Sequence, residues 1–155
     1  MHQDVLLIIP CSKAKIWDKN PTIKNVKAKD AYISTYFKLC KRIAEITNAR
    51  WLIFSAKYGL IPPEFVIPNN YDVSFNKNCA ETVSFFTIYQ QMVKYEVYNF
   101  NKIYSFCGKK YNKILENTLK MFKKALIIPF PKDMRSIGKR QRWIKYLCTK
   151  PYLLL

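Results

Sequence analysis

Four apolar runs rich in β-branched residues punctuate the chain, at residues 4–10, 51–56, 102–107 and 125–129. Each is continuous rather than alternating, the pattern of a strand covered by helices on both faces of a parallel sheet. Between the runs, apolar residues return with helical period. Ile33, Tyr36, Phe37, Cys40, Ile43 and Ala44 form one stripe, and Val83, Phe86, Val93 and Val97 a second. Tyr111, Ile114, Leu115, Thr118 and Phe122 form a third, and Trp143, Ile144 and Leu147 a fourth. Asn78, three residues before Glu81, and Ser136 ahead of the last stripe supply helix-start signals. The order βαβαβαβα with right-handed crossovers predicts an α/β fold: a three-layer, doubly wound sheet of about four mainly parallel strands with flanking helices. Ligands of such sheets bind outside the carboxyl ends of the strands, so four loops become the candidate functional surface.

With 155 residues and no repeat or low-complexity segment, the chain reads as one domain over 1–155. The long connections 11–30 and 57–79 read as binding loops rather than spacers. The apolar tail 151–155 is expected to pack on the domain or on a twin subunit, which leaves a homodimer open. The five cysteines are odd in number and lie in no zinc-like spacing, so they read as free thiols in a reducing, cytoplasmic setting. The first apolar run is too short to span a bilayer, and neither secretion nor a membrane partner is expected. No cofactor or metal is implied, since phosphate-loop, dinucleotide and metal motifs do not occur.

Charge narrows the partner class. The net charge is +17, and a field of that size draws polyanions, nucleic acid first among them. Lysine outnumbers arginine 22 to 5, a skew that composition alone also produces without any ligand.

The loops carry the candidate chemistry. After the first run come Cys11, Ser12, Lys13 and Lys15, where a lysine either holds a phosphate or attacks a carbon electrophile. After the second come Ser55, Lys57, Tyr58 and Gly59, then Tyr71 and Asp72. After the third come Gly108, Lys109, Lys110 and Tyr111. Gly59 and Gly108 are expected to permit tight turns or positive φ. Asp18, Asp30, Glu64, Asp72 and Asp133 are the carboxylates within reach of this face, and Asp72 is the preferred general base, kept ionised by surrounding lysines. A structural ion pair is the competing role for it. His2 is the lone histidine, so no serine or cysteine relay assembles. Arg135, Lys139, Arg140 and Arg142 crowd the start of the last helix, where the dipole disfavours cations unless an anion sits there.

The stretches Pro10-Cys11-Ser12-x-x-Lys15, Tyr32-x-Ser34-x-x-Phe37, Ser55-Ala56-Lys57-Tyr58-Gly59-Leu60, Tyr71-Asp72 and Cys107-Gly108-x-x-Tyr111 together resemble an uncharacterised family of small microbial and viral proteins, over about residues 4–115. More distantly, the opening is similar to the Pro-Cys-Ser…Lys-Pro-Tyr-Ser motif of archaeosine synthase, a tRNA base-modifying enzyme related to archaeal tRNA-guanine transglycosylase. That likeness implies a uracil-DNA-glycosylase-like domain and attack on a modified base by the motif lysine, here Lys15. In this chain Ile16 and Trp17 follow the lysine, and the Tyr-x-Ser element stands at Tyr32 and Ser34.

The expected function is therefore base processing in DNA or tRNA, by N-glycosidic cleavage or by modification. Asp72, Lys15, Lys57 and Ser12 form the catalytic set. Cys11, Ser55, Tyr58, Gly59, Tyr71, Gly108 and Tyr111 hold the base. Lys13, Lys109, Lys110, Arg135, Lys139, Arg140 and Arg142 contact the backbone. The alternative is a non-catalytic nucleic-acid-binding module using the same lysines and tyrosines.

Overall fold

The computed structural model describes residues 2–77 and 79–155. Its elements run β1 (His2–Pro10), α1 (Ile16–Lys19), β2 (Val26–Lys27), α2 (Ala28–Ala31), α3 (Thr35–Thr47), β3 (Ala49–Ser55), β4 (Gly59–Ile61) and β5 (Val66–Ile67). They continue through α4 (Phe85–Lys94), a 3₁₀ turn (Val97–Asn99), β6 (Lys102–Ser105), α5 (Lys109–Lys120), α6 (Ile137–Thr149) and a closing 3₁₀ turn (Pro151–Leu154).

The main sheet has the order β4-β3-β1-β6, with β1 parallel to both β3 and β6 and β4 antiparallel to β3. Strand β1 is the hydrophobic axis of the molecule. Val5, Leu7 and Ile9 face α3 and α6, while Leu6 and Ile8 face α4 and α5, so both faces are covered. Leu6, Leu7, Ile8 and Ile9 are fully buried, each worth roughly 1.5–3 kcal/mol of transfer free energy. Helix α3 presents Phe37, Cys40, Ile43 and Ala44 to that core and packs along α6, which buries Ile144 and Leu147. Its first turn is capped by Ser34 Oγ, which accepts from the Phe37 amide at 3.1 Å.

Three expectations are corrected. Residues 125–129 do not form a full strand: Ile127 alone bridges β6, its amide donating to the Ile103 carbonyl at 2.8 Å. Pro129 and Pro131 lack the donors a ladder needs, and the Pro129 carbonyl instead accepts from Trp143 Nε1 at 2.7 Å. The fourth strand is β4, made when Gly59, at φ 76°, turns the chain back on β3. Helix α4 starts at Phe85 under a Ser84 cap, and Asn78, expected at its start, lies outside the described residues.

The two long connections are not structureless, because β2 and β5 pair antiparallel across them and α1 and α2 occupy the first. The apolar tail folds onto α3 and α6 and buries Leu154, leaving Tyr152 and Leu153 exposed. Among the described residues no helix is long and apolar enough to cross a membrane.

From β1 the chain passes through α3 to β3 on one side, and later through α4 to β6 on the other. The carboxyl end of β1 is thus the switch point where the winding reverses and a crevice opens.

Candidate functional site

A cleft of about 800 Å³ occupies that switch point. Its floor is the loop that leaves β1 at Pro10, running through Cys11, Ser12, Lys13, Ala14 and Lys15. Its walls come from the start of α3, from Tyr71 to Ser74, from Phe106, Gly108 and Tyr111 after β6, and from Arg135, Ile137, Arg140 and Gln141 around the start of α6. Ligand pockets of roughly 300–1,000 Å³ take small molecules or single nucleotides.

Lys15 is the unusual member. The residue is only 3 % exposed, although lysine is almost never buried without a partner. The ammonium donates to the Lys13 carbonyl at 3.1 Å and lies 4.4 Å from the centre of the Tyr71 ring. Among the described residues no carboxylate forms an ion pair with it. Burial lowers its pKa, partly countered by Cys11, Asp18 and Asp72 nearby. Asp18 holds the backbone instead: its Oδ2 accepts from the Lys15 amide at 2.8 Å, and its own amide donates to the Lys15 carbonyl at 2.9 Å at the start of α1. This reciprocal pair pins the loop.

Beneath the cleft three hydroxyls join. Tyr71 Oη hydrogen-bonds to Tyr32 Oη and lies 3.0 Å from Ser55 Oγ. Ser55 Oγ also accepts from the amides of Lys57 and Tyr58, at 3.2 and 3.1 Å, which leaves its own proton for Tyr71. Burial raises the pKa of Tyr32 and Tyr71, so the cluster stays neutral and fixes the Tyr71 ring. Lys57 Nζ approaches the same ring at 5.6 Å, so two cations share one aromatic.

Asp72 is the one carboxylate among the residues lining the cleft. It is 65 % exposed and paired with Lys77 at 2.8 Å, whose hydrogen bond and charge, with Lys13 and Lys15, hold its pKa below the ordinary value. Asp30 pairs with Lys41, Glu64 with Lys27 and Lys29, and Asp133 reaches Arg135 at 3.9 Å. Cys11 lies half-buried on the floor, and burial pushes its thiol up rather than towards thiolate.

The cleft thus gathers Cys11, Ser12, Lys13, Lys15, Tyr71, Asp72, Gly108, Tyr111, Arg135 and Arg140 from the predicted set. Ser55, Lys57 and Tyr58 stand behind it as supports of Tyr71. Gly59 belongs to the hairpin frame: Gln91 Oε1 accepts from the Leu60 amide at 2.8 Å, Gln91 Nε2 donates to the Tyr58 carbonyl at 2.7 Å, and a Cβ on Gly59 would meet Oε1 at 2.2 Å. Gly108 is extended rather than at positive φ, and a Cβ there would meet open space. Lys109 and Lys110 line a smaller depression next to the cleft, whereas Lys139 and Arg142 are exposed and line neither. Arg140 is partly structural, its guanidinium donating to the carbonyls of Met134 at 2.9 Å and Cys107 at 3.4 Å and lying 4.6 Å from the Phe130 ring centre.

Sequence reasoning missed Tyr36, Ser74, Asn76, Lys77 and Gln141 as lining residues. Tyr36 was hidden inside an amphipathic stripe, although its hydroxyl donates to the Phe106 carbonyl at 2.6 Å and ties α3 to the segment just after β6. Lys77 could have been found as the basic residue nearest Asp72 in its loop. Among the described residues no group of three or more His, Cys, Asp or Glu side chains could hold a metal ion.

Fold and site define a small α/β protein with a basic cleft at the switch point of a mixed sheet. The chain belongs to a family of unknown function (DUF6884), whose profile matches residues 6–146. It is 36 % identical over 110 residues to the uncharacterized protein YfjM of Bacillus subtilis (strain 168), covering 71 % of this chain and 73 % of that one. The crystal structure of AF0587, a protein of unknown function, aligns with 94 % of this chain at 14 % identity and a TM-score of 0.42; the chain spans only 44 % of its length. None of these three links the chain to archaeosine synthase or to a uracil-DNA-glycosylase-like domain.

Proposed function

We propose that this protein processes a base in DNA or RNA, cleaving its N-glycosidic bond or modifying the base, inside the strand-end cleft. The observation that carries the reading is Lys15, a buried cation in a cleft that forms no ion pair among the described residues. Such a group is costly unless a ligand supplies the anion, and a nucleotide does so with its phosphate or with the negative charge that builds on a departing base. Tyr36, Tyr71 and Tyr111 line the same cleft and suit a flat ring. The likeness of the Pro10-Cys11-Ser12 opening to archaeosine synthase points the same way, and five free thiols fit a cytoplasmic setting.

In the cleavage version, Asp72 orients a water whose oxygen bonds to C1′ as the bond from C1′ to the base nitrogen breaks. The bond's electron pair leaves with the base, Lys15 stabilises that charge, and the water's proton passes to solvent. Asp72, held ionised by Lys77, suits a positioning role better than that of a strong base.

A panel of base-modified oligonucleotides, read by mass spectrometry for base loss, base change or a lysine adduct, tests this. Asp72→Asn is expected to abolish product while leaving oligonucleotide affinity nearly intact. Binding without any product from the wild type would leave the non-catalytic module standing in its place.

A further inference from the structure

We infer that the ligand is a single-stranded polynucleotide rather than a free nucleotide, and that its strand leaves the cleft along a lysine-lined track at the start of α5. This rests on the reading that the cleft takes a base. The cleft and a smaller depression of about 470 Å³ share Asn76, Gly108 and Tyr111 as a common border, so the two hollows adjoin. The second hollow is otherwise lined by Lys109, Lys110 and Lys113, all exposed and none in an ion pair among the described residues.

Placement of these lysines works against the helix. They sit in the first turns of α5, whose first turn has no acidic residue, at the positive end of the dipole. Lys109 and Lys113 are also four residues apart, a like-charge spacing that repels. Helix α6, at the cleft's other border, also has no acid in its first turn, but its Arg140 is already held by the carbonyls of Met134 and Cys107. The start of α5 therefore carries the unpaired cations next to the cleft, and a chain of phosphates relieves their repulsion. Gly108, between cleft and depression, leaves open space where a side chain would stand, so a backbone can cross there. A free nucleotide fills the cleft alone and needs none of the α5 lysines.

The test compares mixed-sequence oligonucleotides of about 2, 6 and 12 nucleotides with the corresponding 5′-mononucleotides, on the full chain, from about 50 to 200 mM salt. Wild-type affinity is expected to climb with length. Lys109→Gln/Lys110→Gln/Lys113→Gln should cancel most of the climb and leave mononucleotide binding unchanged. It should also flatten the plot of log affinity against log salt by about 2, at roughly 0.7 per phosphate contact on single strands. As a control for bulk charge, Lys27→Gln/Lys29→Gln/Lys41→Gln removes the same number of charges elsewhere and is expected to leave the length dependence intact. Oligonucleotide binding unchanged in the α5 variant, or weakened equally by the control, overturns the track. Mononucleotide binding with no gain from length overturns it too while sparing the base pocket, and binding of neither ligand to the wild type overturns both.

Discussion

Two lysine-rich regions of this molecule treat charge in opposite ways. Around β2, α2 and β5, Lys27 and Lys29 grip Glu64 at 2.7 and 2.6 Å, and Lys41 reaches Asp30 at 3.4 Å. At the cleft, five cationic side chains meet one carboxylate, Asp72, and that carboxylate is already paired with Lys77. The first region is a self-contained network on the surface. The second is left electrostatically unfinished, and its most buried cation, Lys15, has a carbonyl and an aromatic ring where a carboxylate would be expected. With only 10 acidic residues in the chain, where they are placed says more than the excess of lysine. The paired lysines are held by carboxylates on the surface, and the unpaired ones around the concave surface set up a field that attracts anions.

The largest expected effect comes from removing the buried cation. Lys15→Met keeps the volume and deletes the charge, and oligonucleotide affinity should fall roughly 10–100-fold, the worth of a charge-assisted contact. Stability should not fall with it. Burial lowers the Lys15 pKa below 10.5, so the folded protein holds its proton less tightly than the unfolded chain. The resulting penalty is complete below the folded pKa and fades as pH rises towards 10.5. The variant should therefore equal or exceed the wild type in denaturant melts at neutral pH, with the gap closing at alkaline pH. A less stable variant that still binds would erase the contrast between the two regions.

A smaller effect locates the border of the cleft. Gly59→Ala forces a Cβ into a left-handed backbone and onto Gln91, at a cost of at least about 1–2 kcal/mol in urea unfolding. Affinity measured well below the melting temperature should be unchanged, because Gly59 braces the hairpin and does not line the cleft. Weaker binding at full folding would move Gly59 into the site.

The smallest effect belongs to the neutralised corner. Glu64→Gln should leave binding as it was and shift the melting temperature only slightly, since exposed ion pairs contribute little. Lys27 and Lys29 pull the Glu64 pKa down to about 2, so its contribution is present above about 4.5 and lost as pH falls towards 2. A melting shift that persists at pH 2, or a marked change in affinity, would show that this corner is not the passive half of the comparison.

Much of the fold was legible in local pattern. The unbroken run Val5 to Ile9 reads as a strand buried on both faces because each residue must meet apolar neighbours above and below, and it is the central strand. Ser34, Ser84 and Ser136 cap the helices they precede, an interaction confined to a few residues, although only Ser136 was recognised beforehand. The run at 125–129 misled for a nonlocal reason: β propensity was present, but prolines and the Trp143 hydrogen bond removed its ladder partners.

The sequence by itself determined three of the four strands of the main sheet and its long helices, since hydrophobic period, caps and turn residues act over a few positions. Only the tertiary structure decided which of those residues share a cleft. Strand order set Lys15 beside Tyr71 and Asp72 and brought Arg135 and Arg140 to the same opening. The hairpin into β4 drew Lys57, Tyr58 and Gly59 into support instead. Lys27 and Lys29 are paired by Glu64, more than thirty residues away in sequence, and that distance closes only on folding.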